Sequence, residues 1–256
     1  MSRSGTLNIG SGSKTKRWLR RVITILLSLA AIVGSYFLMD YLVATWQNNE
    51  EIHYIESIGI STKPVTQAEI DDYKVDPDKP RYISIPRAGV TNARAIALGV
   101  KSPAADGSQQ LDAPTRIGDT GWYNCQINPI ADNRCDTYKT PGDGNTETAA
   151  LFDGHTCFSR AMSCVFDQIS SLKNGDSIVV ERGDGQTLQY VVRKVQILNL
   201  ADVDMKAAMK PLESGREGLT LITCAGTYKG AVDASGVPTA SKRVLVYAVL
   251  NGIAGI

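Results

Sequence analysis

Three side chains in this sequence have types and spacings suited to joint chemistry. Cys224 ends an apolar run, Leu219-Thr220-Leu221-Ile222-Thr223, and precedes Ala225-Gly226. His155 follows another apolar run, Ala149-Ala150-Leu151-Phe152, after the turn residues Asp153-Gly154. Arg243 opens a third run that continues to Leu250. A paired Cys and His make a definite reagent, because imidazolium stabilises thiolate and the thiolate is the nucleophile. Acyl transfer to a thiol also needs stabilisation of the carbonyl oxygen, a task for which Arg243 is the candidate. Each residue has a plainer reading as well. A lone Cys is commonly a small buried hydrophobe, a lone His a satisfied structural residue, and a charge opening a strand a guard on a sheet edge. The position of Cys224 at a strand end, where reactive groups meet a domain rim, argues against the first of these.

Cysteine arithmetic bears on the same point. There are five, Cys125, Cys135, Cys157, Cys164 and Cys224, an odd number. Proximity suggests Cys125–Cys135 around a loop and Cys157–Cys164 around a short turn, which leaves Cys224 free, although spacing alone does not settle the pairing. The second histidine, His53, lies in a polar segment and reads as surface. No C-x2-C or H-x3-H spacing is present, so no metal site and no cofactor are expected.

The elements that must position these residues begin after a long apolar segment. Val22 to Met39 is an 18-residue run without charge. As a helix it reaches roughly 27 Å, close to the hydrocarbon thickness of a bilayer. Trp18 on one side and Tyr41 and Trp46 on the other suit the headgroup layers. A buried core helix is the alternative, but the run is apolar on every face and flanked by charge. A cleaved signal peptide is another, but its apolar region is shorter and ends in a small-x-small site that Asp40-Tyr41-Leu42-Val43-Ala44 lacks.

Charge supports an anchor. The 256-residue chain is 43% hydrophobic and 21% charged, with a formal net charge of +1. Arg3, Lys14, Lys16, Arg17, Arg20 and Arg21 all precede the apolar run, and no acid appears before Asp40. Taking those six from the 27 Lys and Arg leaves 21 against 26 acids, a net of −5. A nucleic-acid binder carries its basic excess on the folded part, so that class is disfavoured. Basic flanks stay cytoplasmic, which puts the C-terminal part outside, in an oxidising compartment. The expected organisation is a basic cytoplasmic tail at 1–21, disordered at its tip, a transmembrane helix at 22–42, an extracytoplasmic stalk at 43–80 and a catalytic domain at 81–256.

Within the stalk, Thr66-Gln67-Ala68-Glu69 is a capping box, which predicts a helix near 66–74. From Arg81 the texture changes to short strands at 81–85, 91–100, 149–152, 177–182, 187–198, 219–223 and 243–250. Residues 101–148 read mostly as loop, with a surface insertion near 125–147. A short helix from Val203 to Lys210, capped by Asp202, interrupts the strands. Along the last strand Val244, Val246 and Ala248 share one face, and Arg243, Leu245 and Tyr247 the other. About eight short strands with few helices predict a mainly β, closed or nearly closed barrel.

The motifs resemble one family. Thr220-Leu221-Ile222-Thr223-Cys224 is similar to the T-L-x-T-C signature of sortases, and Phe152-Asp153-Gly154-His155 to their Gly-His segment. Phe166-x-x-Ile169-x-x-Leu172-x-x-Gly175-Asp176 and Ile83-Ser84-Ile85-Pro86 resemble further stretches of that family. Lys242-Arg243-Val244-Leu245-Val246-Tyr247-Ala248 fits its arginine strand. The order His, Cys, Arg, with gaps of 69 and 19 residues, suits it too. The resemblance implies a sortase-like closed eight-stranded β-barrel and a cysteine transpeptidase anchored in the cell membrane. Such enzymes cut a Leu-Pro-x-Thr-Gly-like sorting signal on a surface-protein substrate between Thr and Gly. A thioester then passes to an amine acceptor, on a cell-wall precursor or a pilin. It further implies Cys224 as nucleophile, His155 as acid and base, Arg243 at substrate or oxyanion, and Thr223 assisting near the carbonyl.

The sequence departs from that pattern in places. Cys125–Thr148 is longer and richer in cysteine than the usual connection, and Cys157 is unexpected beside the histidine. Asp76-Pro77-Asp78 lacks the aromatic of a pilin-type lid, which points to a housekeeping or class E/F type. No acidic cluster marks a calcium site. Two other readings remain: a membrane-anchored cysteine peptidase that hydrolyses the same kind of peptide, and a non-catalytic surface module with Cys224 buried.

Overall fold

A computed structural model describes residues 12–99, 112–124, 127, 140–157, 162–226 and 239–254 of the chain. It divides into two compact units, residues 1–50 and 51–256. The expected disordered tip falls largely outside the described residues.

Helix α1 (Gly12–Ser57) carries the apolar segment. Its stretch Arg17–Trp46 contains an 18-residue window with a mean hydropathy of 2.3, none of it buried, and is long and apolar enough to cross a membrane. The hydroxyls of Thr24, Ser35 and Thr45 each donate to the carbonyl four residues earlier, so these polar groups are satisfied within the helix.

The chain from Glu51 to Pro80, expected as part of a stalk, is stitched to the barrel. Ser61 forms a parallel bridge with Arg116. Helix α2 (Gln67–Asp71) starts with the capping box: Thr66 Oγ1 accepts from the Glu69 amide, and the Glu69 carboxylate accepts from the Thr66 amide. It is shorter than the expected 66–74, and carbonyls at and beyond its last turn are taken by barrel side chains. Arg81 Nε donates to the Tyr73 carbonyl at 2.7 Å, and the Tyr82 hydroxyl donates to that of Ile70. Glu69 also receives Arg116 Nη1 at 2.6 Å.

The barrel has eight strands: β1 (Pro80–Ile85), β2 (Val90–Leu98), β3 (Thr120–Tyr123), β4 (Ala149–Gly154), β5 (Ser177–Arg182), β6 (Thr187–Asn199), β7 (Gly218–Ala225) and β8 (Lys242–Ala254). Their order around the sheet is β1-β2-β3-β4-β7-β8-β6-β5, and β5 closes on β1. The architecture is the mainly β, closed barrel with short helices that the pattern predicts. Strand β3 lies in a stretch read as loop. It is only four residues long and buried on both faces, so it shows no period-two alternation to read.

Two apolar clusters sandwich the sheet at the site. The interior holds Phe152, Phe166, Ile169, Leu172, Leu219, Leu221, Val244, Val246 and Ala248, among others. Outside, Tyr123, Leu151, Ile222 and Leu245 pack with Ala208 and Met209. The two faces of β8 therefore divide as its alternation predicts. Ala208 belongs to helix α3 (Met205–Ala208), which is shorter than expected and capped by Asp204, not Asp202. Asp202 instead accepts from Asn199 Nδ2 at 2.8 Å and closes a preceding 3-10 turn. Near Phe166 the helical spacing yields a single 3-10 turn, Ile169–Ser171.

Candidate active site

Strand pairing decides which residues meet. Strands β4 and β7 run parallel, with Asp153 opposite Ile222. β4 ends at Gly154, whose carbonyl accepts from the Thr223 hydroxyl, and His155 is the next residue along the chain. Strands β7 and β8 run antiparallel, with Cys224 opposite Arg243. Cys224 thus occupies the middle strand of three, flanked by the histidine segment and the arginine strand. Neighbouring strands lie about 4.8 Å apart. Leu151 and Asp153 share one face of β4, Ile222 and Cys224 one face of β7, and Leu245 and Arg243 one face of β8. Leu151, Ile222 and Leu245 belong to the outer apolar cluster.

Thr223 works from the opposite face. Its hydroxyl donates to the Gly154 carbonyl at 2.6 Å and lies 2.7 Å from the Thr156 hydroxyl. Each hydroxyl has one proton. Thr223 gives its proton to Gly154, so Thr156 supplies the proton of the second bond. The residues on both sides of His155 are thereby tied to the residue before Cys224. Gly154 must be glycine, since a Cβ there would stand 2.6 Å from the Phe166 ring.

The imidazole of His155 is mostly enclosed. Its Nε2 lies 2.6 Å from the Pro114 carbonyl. A carbonyl only accepts, so Nε2 carries a proton and Nδ1 is the nitrogen left for proton exchange. Burial lowers the pKa of His155, and the Pro114 carbonyl opposes that shift. Asp153, two residues earlier, is a residue that sequence reasoning missed. Burial pushes its carboxyl up to about 7, and the charge of Asp112 adds to the shift. The available signal is a carboxylate inside an apolar strand.

Cys224 is a free, partly exposed thiol. Arg243 Nη1 donates to the Ala240 and Lys242 carbonyls at 2.9 and 3.0 Å, and Nη2 to Thr239 Oγ1 at 3.0 Å. Three of its five N–H groups are therefore used on described residues, and two remain for a ligand. A groove of about 190 Å³ borders Cys224, Thr156, Phe166, Asp167 and Val244. His155 and Arg243 do not line it.

Cys157 and Cys164 are joined by a disulfide, with Cα atoms 5.3 Å apart. The suggested Cys125–Cys135 pair lies outside the described residues. The sulfurs of Cys157 and Cys164 and a carboxylate oxygen of Asp167 cluster within 4.8 Å. Both sulfurs are consumed by their mutual bond, and both carboxylate oxygens take amide protons, so the cluster is structural. His53 is exposed, as its polar surroundings predict.

A family model described as Sortase domain matches residues 98–251. No curated protein matches the chain. Among solved structures, the chain is similar to sortase C-1 of Actinomyces oris, at 22% identity over 80% of this chain and 97% of that one, with a TM-score of 0.43. It is similar to sortase C of Streptococcus pneumoniae, at 18% identity over 81% and 90%, with a TM-score of 0.43. Sortase A of Listeria monocytogenes is similar at 15% identity over 71% and 92%, with a TM-score of 0.40.

Proposed function

The chain belongs to the sortase family, and from that premise we propose that it is a membrane-anchored cysteine transpeptidase acting on surface proteins with a Leu-Pro-x-Thr-Gly-like signal. The observation that supports this reading is the strand register, with Arg243 opposite Cys224 on one side and, on the other, β4, which ends one residue before His155.

The Cys224 thiolate attacks the threonyl carbonyl carbon, and the carbonyl electrons move onto oxygen. The unused N–H groups of Arg243 stabilise that oxyanion. The carbonyl re-forms, the C–N bond breaks, and His155 gives its Nδ1 proton to the leaving glycine amine. A thioester remains on Cys224. An acceptor amine then attacks it, His155 takes up the surplus proton at Nδ1, and the Cys224 thiolate departs. Thr223 does not reach the carbonyl in this scheme: its hydroxyl holds Gly154 and Thr156, and it aligns the histidine with the sulfur.

Burial disfavours imidazolium in His155, so the thiolate–imidazolium pair is a minority form near neutral pH. The apolar helix anchors the enzyme, and the six bases before it keep the N-terminus cytoplasmic and the barrel outside. The acceptor amine belongs to a cell-wall precursor or a pilin.

The test uses the full-length chain in detergent micelles with a Leu-Pro-x-Thr-Gly peptide, with and without triglycine, read by mass spectrometry. A ligated product identifies a transpeptidase. Hydrolysis alone, unaffected by triglycine, identifies a peptidase. No cleavage, with Cys224 inert to a thiol reagent, identifies a non-catalytic module.

A further inference from the structure

The Asp167 carboxylate holds two backbone amides that are seven residues apart. One oxygen accepts from the Cys157 N–H at 2.7 Å, and the other from the Cys164 N–H at 2.8 Å. The same two residues are joined through their sulfurs. Chain entry and exit are therefore clamped twice, once covalently and once by a charged acceptor shared between two donors.

The clamp adjoins His155 directly. Cys157 is two residues beyond it. Two residues after Cys164, the Phe166 N–H donates to the His155 carbonyl at 2.9 Å. Between them, the Val165 N–H donates to the Ile117 carbonyl at 2.9 Å. Cys164 packs with Ile55 and Ile117, and Cys157 lies against that cluster. Ile117 is three residues from Pro114, whose carbonyl holds the imidazole. His155 is thus gripped at its carbonyl from the clamp and at its ring from the segment the clamp packs on.

We propose that Asp167 is a positioning residue, which acts through the amides of Cys157 and Cys164 to hold His155 in line with Cys224. The inference rests on the reading of His155 as the proton-transfer group. The carboxylate is the chemistry the place requires. Both partners are N–H donors, so each position opposite them must be an acceptor. Asparagine has the same shape, but its Nδ2 would point one donor at another. Burial raises the Asp167 carboxyl above its ordinary value, and the two amides oppose that shift. The disulfide is the covalent half of the same clamp.

The experiment compares Asp167→Asn, Asp167→Glu and wild type as full-length chains, with steady-state transfer of a Leu-Pro-x-Thr-Gly peptide to triglycine. The Asn variant is expected to lose about ten-fold or more in kcat and to change KM by less, since misalignment acts on the transition state while Asp167 also borders the groove at Cys224. Glu keeps two acceptor oxygens and recovers part of the loss. Wild-type kcat in the Asn variant, a loss confined to KM, or Glu no better than Asn would overturn the proposal. If the Asn variant does not fold, Asp167→Ser, which retains one acceptor, is judged by the same criteria. Amide hydrogen exchange at Cys157, Cys164 and Phe166 needs no catalysis. If the wild type neither cleaves nor transfers peptide, the enzymatic reading fails by itself. Faster exchange of these three amides in the Asn variant still supports the clamp, and unchanged exchange overturns it.

Discussion

The Thr223 hydroxyl donates to the Gly154 carbonyl at 2.6 Å, and so links the residue before Cys224 to the residue before His155. Sixty-nine residues separate each pair in the chain. The bond ties together the ends of two parallel strands at the point where the proposed nucleophile and its proposed proton-transfer partner must agree in position. Thr223→Val keeps the volume and β-branching of the side chain and removes the hydroxyl. Gly154 and Thr156 each then lose a partner, at a cost of about 1–3 kcal/mol in stability. The expected result is a lower denaturation midpoint together with a fall of about ten-fold in kcat, since misalignment acts on the transition state. Chemical denaturation and steady-state kinetics measure the two effects separately.

The three side chains of the proposed mechanism differ in what their loss should do. Cys224→Ala removes the nucleophile, so neither cleavage nor capture of a thiol-reactive label survives, while the fold remains. Arg243→Lys keeps a charge but cannot reproduce three bonds to Ala240, Lys242 and Thr239 and still present donors to an oxyanion. It should lower kcat/KM by on the order of 10². His155→Ala should be at least as severe. Retained cleavage in Cys224→Ala would overturn the nucleophile assignment.

The pH dependence of the rate should be bell-shaped in kcat/KM, because one group must be deprotonated and another protonated. The depressed imidazole of His155 makes its protonated form scarce at neutral pH, so the maximum rate reflects a minority form. A monotonic rise to high pH would remove histidine from the acid's role.

Stability should carry two opposite pH signatures from one stretch of chain. The folded pKa of Asp153, about 7, lies above its ordinary value of 3.8. Its favourable contribution is complete below about pH 4 and is lost as pH rises through about 7. The imidazole of His155 is depressed, so its contribution is complete above its ordinary value of 6.5 and is lost as pH falls through the lower folded value. Asp153→Asn mimics the neutral carboxyl. Its stability relative to wild type should grow between about pH 5 and pH 8, as followed by urea denaturation. No growth would mean that the carboxyl is not held protonated.

At the far end of β7, Glu217 is buried and accepts from the Tyr190 hydroxyl and from the amides of Gly142 and Gly144. Tyr190→Phe removes one donor from a buried carboxylate and should cost about 1–3 kcal/mol. Seven residues of strand separate Glu217 from Cys224, roughly 23 Å at the usual rise. The alkylation rate of Cys224 should therefore be unchanged. A change in that rate would show coupling along the strand.

Much of this protein is legible from local chemistry alone. An uncharged run of 18 residues can hardly avoid a helix whose apolar faces need lipid or burial. The alternation of Val244, Val246 and Ala248 against Leu245 and Tyr247 assigns both faces of β8, because side chains alternate along a strand whatever its neighbours. The capping box at Thr66 and Glu69 is equally local. Cys224, His155 and Arg243 are nameable as a set from residue type and motif. Tertiary structure alone decides what lies next to what. The pairing of β4 with β7, the recruitment of Thr120–Tyr123 as a strand, the Pro114 carbonyl on His155 and the two amides on Asp167 all join residues far apart in the chain. Strand partners are chosen by which closed arrangement buries both faces of the sheet, and that choice leaves no mark in any short stretch of residues.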